Sequence, residues 1–294
     1  MKTLTAVITT RNEAANIATC IHAFDAVRAD VELIVVDNNS TDETKAIAAS
    51  LGAIVLDKGP ERSAQRNLGW RTATAEWVVI LDADMILPEP TIREILAIAR
   101  GTTAAARAYW IPEVRTGAGL RVKARNFERS FYDGTCIDAL RLFHKSVLEA
   151  TGGYDETLIA GPEDWELDIR ILATGAPCAV LTQHLIHNEK RLTFKRMLEK
   201  KAYYTKSFAA YRAKWPNHPA VKKQFSPFYR FVAVLPLCRR VRREGQVAQG
   251  AAASNPLCGD DGRARGGRVR VSREQGEGPW LTAPTSGAAR AKRS

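Results

Sequence analysis

Short apolar runs alternate with amphipathic segments through the first hundred residues. Residues 3–9 (TLTAVIT), 31–36 (VELIVV), 53–56 (AIVL) and the run opening at Trp77 (WVVIL) have strand length and end in polar loops. Between them, Ile17, Ile21 and Phe24 recur at helical spacing. Ser40 with Glu43 matches a capping box and predicts a helix from Thr41. Residues 59–69 (GPERSAQRNLG) read as a polar loop entering a helix that runs to about Ala75. Pro88 and Pro90 precede a helix with Ile92, Ile95, Leu96 and Ala99 on its apolar face. Strands and helices in this order predict an α/β fold with a mostly parallel central sheet flanked by helices.

The second half is less regular. Residues 104–114 predict a strand and a turn, 122–132 an amphipathic helix, and 139–143 a strand. Gly152-Gly153-Tyr154-Asp155 predicts a turn before a polar loop and a helix that begins near Glu163. Residues 179–186 predict one strand, interrupted by His187-Asn188-Glu189. Residues 192–214 predict a long basic helix stopped by Trp215-Pro216. Beyond Arg239 large apolar residues become rare and Arg, Gly, Ala, Pro and Ser dominate, a composition that predicts disorder.

Composition changes this picture in two places. The 294 residues carry a net charge of +11, but 12 Lys/Arg and 5 Asp/Glu after residue 238 place +7 of it in the tail. The remaining +4 is modest, and no recognised nucleic-acid motif is present, so no nucleic-acid partner is expected. The five cysteines are scattered and never form a CxxC pair, which predicts reduced thiols in a cytosol-facing protein and no zinc site. The N-terminus has no long apolar segment of signal-peptide type, and no apolar run approaches the ~20 residues of a spanning helix.

The chemistry gathers where the strands end. In an open α/β sheet, ligands bind beyond the carboxyl ends of the strands. The run WVVILDAD puts Asp82 and Asp84 there, separated by the small Ala83. Two carboxylates at such a cleft suit a hard divalent cation, which usually arrives with phosphate oxygens. Asp37 ends the second strand on the same edge, where a carboxylate can accept a base N–H or ribose hydroxyls, whereas Ser40 and Asp42 read as helix caps. The loop Thr9–Glu13 follows the first strand. There is no GxGxxG after that strand and no GxxxxGK[ST], which argues against a dinucleotide fold and an ATP-hydrolysing P-loop.

Taken together, VITTRNEAANI, VVDNNSTDET, the RNLG segment at Arg66–Gly69 and WVVILDAD resemble the donor half of glycosyltransferase family 2, with its GT-A fold. TGGYDETLIAGPEDWELDIRI resembles the acceptor half of that family, including an acidic pair at Glu163-Asp164. The resemblance spans roughly Thr3 to Trp215. It implies that Thr10, Glu13 and Asp37 hold the nucleoside of a sugar nucleotide, with Arg66 in the loop that approaches the nucleotide. It further implies Asp82 on ribose or sugar, Asp84 on a divalent cation (Mn²⁺ or Mg²⁺), and Asp164 as general base with Glu163 as its alternative. His187 is the candidate second metal ligand, and Arg191, Lys200 and Lys201 are candidates for the diphosphate or an anionic acceptor. Pro162, where many members have glycine, departs from the family pattern but leaves both carboxylates in place.

The expectation is therefore an inverting, metal-dependent glycosyltransferase that takes a UDP- or GDP-sugar to a glycan or lipid-linked acceptor. A donor half over residues 1–100, an acceptor half over 101–238 and a basic tail over 239–294 complete it. The basic, aromatic segment 195–240, with residues 225–237 as an in-plane element, is expected to lie on the inner face of the cell membrane. Two alternatives stay open: a sugar-nucleotide nucleotidyltransferase, for which the first loop lacks glycine, and a basic nucleic-acid-binding module.

Overall fold

The computed structural model describes residues 2–102, 106–117, 120–158, 161–188, 203 and 205–229. Met1–Ser226 form one compact unit, and the description concerns it alone. The expected tail beyond Arg239 lies outside the described residues, as do Arg191, Lys200, Lys201 and most of the expected in-plane element.

Four strands, β1 (Leu4–Thr10), β2 (Val31–Asp37), β3 (Ile54–Asp57) and β4 (Trp77–Asp82), run parallel in the order β3-β2-β1-β4. Their connections supply α1 (Ile17–His22), α2 (Thr44–Ser50) and α3 (Arg62–Thr72). The register aligns the strand ends: Thr10 pairs with Asp37, and Thr9 with Asp82. β1, β2 and β4 thus present their last polar residues along one edge.

The sheet is buried on both faces, as expected of strands with helical crossovers. Ala6, Ile8, Leu33, Val35, Val79 and Leu81 join a core with Ile17, Ile21 and Phe24 of the α1 segment. Ile92, Ile95 and Leu96 of α4 (Glu89–Ala99) close the same core. The alternate residues Val7, Ile34, Val36, Val78 and Ile80 are equally buried. Each such side chain contributes on the order of 1.5–3 kcal/mol. On Val7 lies α3, with Gly69 at the contact: a Cβ there would stand 2.2 Å from Val7 Cγ1.

Beyond β4 the sheet continues through β8 (Leu140–His144), β6 (Ala108–Trp110) and β9 (Cys178–Val180). Here β8 is antiparallel to both β4 and β6. A second sheet joins β5 (Met85–Ile86), β10 (Leu185–His187) and β7 (Glu113–Arg115). The single strand expected over 179–186 is therefore two, because its ends serve different sheets: β9 pairs with β6, while β10 fits between β5 and β7. Also present are α5 (Leu120–Arg129), α6 (Lys145–Thr151) and α7 (Glu163–Ala173). Two short helices, α8 (Phe208–Lys214) and α9 (Pro219–Gln224), follow; Tyr211, Ala220 and Val221 pack against Leu158 and Ile169.

Two local expectations need correction. α2 starts at Thr44, not Thr41, and no capping box forms. Ser40 is drawn instead to the buried Asp37, donating its N–H at 2.7 Å and its hydroxyl at 2.5 Å, and Asp42 accepts from the Thr44 N–H. The second concerns α3, which already begins at Arg62, so Arg66 belongs to a helix and not to a loop.

Candidate active site

A cleft of about 460 Å³ opens at the aligned strand ends. Thr9, Thr10, Glu13, Asn38, Arg62, Gln65, Asp82, Asp84, His187 and Tyr203 are among the residues that line it. One end of it is built from two interlocked loops. Asn12, at φ 53°, donates its N–H to Ser40 Oγ and accepts from Thr41 N–H, so the first loop is tied to the second. Glu13 accepts from Asn16 Nδ2 at 2.6 Å. Gln65 reaches from α3 to donate to the carbonyls of Thr10 and Val36. The Thr10 hydroxyl is buried with no hydrogen-bond partner among the described residues.

Asp37 is placed differently from its expected companions. It is fully buried, and both carboxylate oxygens are taken by Ser40. In this conformation it shapes the loop and is not itself at the cleft wall.

Asp82 and Asp84 take separate surroundings because they leave the end of β4 in different directions. Asp82 accepts from Thr9 Oγ1 at 2.9 Å and faces Arg62 and Arg66, each at 3.3 Å. Burial opposes its ionisation, but Arg66, Arg62 and Arg141 outweigh that cost and hold the carboxyl well below the usual range. Asp84 turns to the small sheet, where its Oδ2 lies 3.1 Å from His187 Nε2. The carbonyl of Asp84 also accepts from Asn188 N–H, which locks the two segments together.

The other ring nitrogen of His187 lies 2.9 Å from Glu113 Oε1, and Glu113 is held in turn by Arg129 at 3.1 Å. Burial works against a charged imidazole, yet the hydrogen bonds to Asp84 and Glu113 push the His187 pKa up to about 9. Among the described residues no group of three or more His, Cys, Asp or Glu side chains is placed to hold a metal ion. Asp84 and His187 nevertheless fit two positions of an octahedral ion. Ligands about 2.1 Å from such an ion and at right angles stand about 3 Å apart, close to the separation found. A carboxylate behind the histidine is also the usual partner of a metal-binding imidazole.

The acidic pair enters from α7. Arg66, 1% exposed, donates to Asp164 Oδ1 at 2.7 Å and to Asp82 Oδ1 at 3.3 Å, while its guanidinium lies 5.1 Å over the Tyr154 ring. One side chain of α3 thereby ties the end of β4 to the start of α7. Glu163 is also 1% exposed, faces Arg62 at 3.3 Å and Arg66 at 3.6 Å, and accepts from Gly161 N–H. Burial pushes its pKa up. Asp164, 17% exposed, is the more accessible member of the pair.

The neighbouring Asn67 is structural: it donates to Tyr154 O and accepts from Tyr154 N–H and from Trp70 Nε1, clamping the turn that precedes α7. Gly153, at φ 79°, fits beneath it, since a Cβ there would lie 2.4 Å from Asn67 Oδ1.

Sequence comparison decides what this arrangement belongs to. The profile of the family described as Glycosyl transferase family 2 matches residues 5–152, half of the chain. The chain belongs to glycosyl transferase family 2. It is 38% identical over 97 residues to an uncharacterized glycosyltransferase of Rickettsia prowazekii, covering 32% of each protein. A second uncharacterized glycosyltransferase, of Rickettsia conorii, is 34% identical over 93 residues, 31% of this chain and 32% of that one. The match thus spans about a third of the length of these relatives.

Solved structures agree on the GT-A fold. The mannosyltransferase PcManGT of Pyrobaculum calidifontis, in complex with GDP-Man and Mn²⁺, superposes with a TM-score of 0.56 at 20% identity, over 85% of this chain and 79% of that one. S. aureus TarS 1-349 in complex with UDP-GlcNAc gives a TM-score of 0.56 at 16% identity, over 82% and 72% of the two chains. Family membership favours the transferase over the nucleotidyltransferase and the nucleic-acid module.

The structure brings Thr10, Glu13, Asp82, Asp84 and His187 to one cleft, with Arg66 joining Asp82 to the Glu163-Asp164 pair at its side. Arg62, Gln65, Tyr203, Glu113 and Arg141 were not singled out in the sequence. Arg62 and Arg66 stand one helical turn apart, a spacing visible only once the segment is known to be helical. Arg141 was legible as a charge within the strand-like run ALRLF.

Proposed function

We propose that this family 2 member is an inverting glycosyltransferase that uses a nucleoside diphosphate sugar and a divalent cation. The observation that supports the reading best is the division of labour among carboxylates brought together from the end of β4 and the start of α7. Asp84 is paired with His187, Asp82 with two arginines, and Asp164 is tied to Asp82 through Arg66.

In this reading Thr10 and Glu13 lie against the nucleoside, and Asp37 supports it by holding the Ser40 turn. Asp82 receives ribose or sugar hydroxyls. Asp84 and His187 hold the cation, which when bound stabilises charge on the departing diphosphate. Arg62 adds a positive charge on the same side.

Asp164 takes the proton of the acceptor hydroxyl as its oxygen bonds to the anomeric carbon. Its Oδ1 is engaged by Arg66, which fixes the carboxylate and leaves Oδ2 for the proton. Glu163 lacks the exposure to do this. One base opposite one leaving group gives a single displacement with inversion. Residues 1–100 form the donor half in this scheme and the later elements the acceptor half, with a glycan or lipid-linked hydroxyl as acceptor. Its basic, aromatic C-terminal portion lies against the inner face of the membrane, which partition between soluble and liposome-bound fractions checks; among the described residues no helix is long and apolar enough to cross a membrane.

The test is a panel of UDP-, GDP- and dTDP-sugars assayed for Mn²⁺-dependent transfer to water, with Asp84→Ala as control. Turnover of one nucleotide class that falls with the variant supports the reading. Equal turnover by the variant removes the metal role of Asp84.

A further inference from the structure

Arg141 has no place in the scheme above. It lies on β8, one residue before the Leu142–Val79 pair that joins β8 to β4. Only 8% of it is exposed. Its guanidinium makes no hydrogen bond and no ion pair within 4 Å among the described residues. A buried guanidinium carries five donors, and leaving them unmatched is costly. The other buried arginine of the site, Arg66, is bound to two carboxylates and stacked on a ring.

The charged groups around Arg141 are Asp164, Asp82 and Glu113, with Arg66 on the same side. All are already matched elsewhere: Asp164 and Asp82 by Arg66, and Glu113 by Arg129, Arg115 and His187. Arg141 is also not among the residues that line the donor cleft. Its strand packs on the helix of the proposed base: the N–H of the adjacent Leu140 donates to Asp168, one turn beyond Asp164 on α7.

We propose that Arg141 receives an anionic group, a phosphate or carboxylate, carried by the acceptor next to its reacting hydroxyl. This rests on the transferase reading and narrows its acceptor to anionic alcohols. A guanidinium fork pairs with such groups through two parallel hydrogen bonds.

The experiment is calorimetric titration of the full chain saturated with Mg²⁺ and the nucleoside diphosphate that the donor panel selects. The probes are glycerol 3-phosphate, an anionic alcohol, and glycerol, its neutral counterpart. The expected result is saturable binding of glycerol 3-phosphate alone, at least tenfold weaker in Arg141→Met, with nucleoside diphosphate affinity unchanged within twofold. Arg141→Lys, which keeps the charge and loses the fork, should fall between the two and serves if the methionine variant does not fold.

Equal binding of glycerol 3-phosphate by wild type and variants overturns the proposal. So does loss of nucleoside diphosphate affinity in the variants, which would place Arg141 on the donor, and so does absence of probe binding in a wild type that binds nucleotide. A wild type that binds no nucleotide fails the transferase reading instead, before the probe is added.

Discussion

Arg66 Nη1 stands 2.7 Å from Asp164 Oδ1, although 98 residues separate them in the chain. The same guanidinium reaches Asp82 at 3.3 Å, so the carboxylates of β4 and α7 share one buried cation. Removing it leaves Asp82, Glu163 and Asp164 facing each other with only Arg62 and the more distant Arg141 to offset them. Arg66→Met is expected to cost about 3–5 kcal/mol of stability, measurable by urea unfolding. A midpoint equal to wild type would show that the bridge contributes nothing to the fold.

Asp164 and Glu163 should separate cleanly in kinetics. Asp164→Asn is expected to lower transfer by about 10²–10⁴-fold, the usual contribution of a general base, while nucleotide affinity stays within a few-fold. Glu163→Gln keeps the buried shape and the neutral state that burial favours, so its transfer rate should fall by less. Rates measured at saturating donor decide this; the reverse order would make Glu163 the base.

Glu113 reaches the proposed metal site only through His187. Glu113→Gln should weaken Mn²⁺ binding by about 10–100-fold, as loss of a carboxylate behind a metal-binding imidazole commonly does. Titration of free Mn²⁺ by its electron spin resonance signal reads this without any turnover. His187→Ala should weaken binding further, and unchanged affinity in both variants would move the cation elsewhere.

Gly69 is the point where α3 touches the sheet. With a Cβ only 2.2 Å from Val7 Cγ1, Gly69→Ala must push the helix outward. The expected cost is about 1–3 kcal/mol, accompanied by displacement of Arg66 and weaker nucleotide binding. Double substitution with Val7→Ala should recover part of the stability, and no recovery would assign the loss to another cause.

Acid sensitivity should involve the turn before α7. Lys214 reaches Asp155 and Glu166, and although burial opposes ionisation of Asp155, its hydrogen bonds to Lys214 and Thr157 hold its pKa down to about 2. The folded value lies below the ordinary 3.8, so this contribution is complete above that pH and is lost as pH falls from there through about 2. Thermal melts between pH 5 and 2 should therefore fall less steeply for Asp155→Asn than for wild type. Parallel curves would exclude the pair from the acid response.

Much of the first hundred residues was legible because its signals are local. The continuous apolar runs of β1, β2 and β4 and the polar residues that end them depend on neighbours in sequence, so Asp82 and Asp84 could be placed at a cleft from the chain alone. Helix starts were less secure: Ser40 and Glu43 satisfy the capping pattern, yet Asp37 is a stronger, buried acceptor and claims Ser40. Splitting of the strand after Cys178 was not legible, since which sheet each end joins depends on partners some 70 residues away.

The sequence by itself determined the alternation that builds the sheet, the edge on which the carboxylates stand and the order of the family's motifs. Only the tertiary structure decided what each carboxylate faces. Asp82 and Asp84 are two residues apart and chemically identical, yet one is neutralised by arginines from α3 and the other is paired with a histidine from β10. Their difference comes from groups that folding brings within about 3 Å, where charge interactions are strong and solvent screening is weak. The same distances separate Glu163 from Asp164 and leave Arg141 without a partner among the described residues, and no pattern along the chain encodes them.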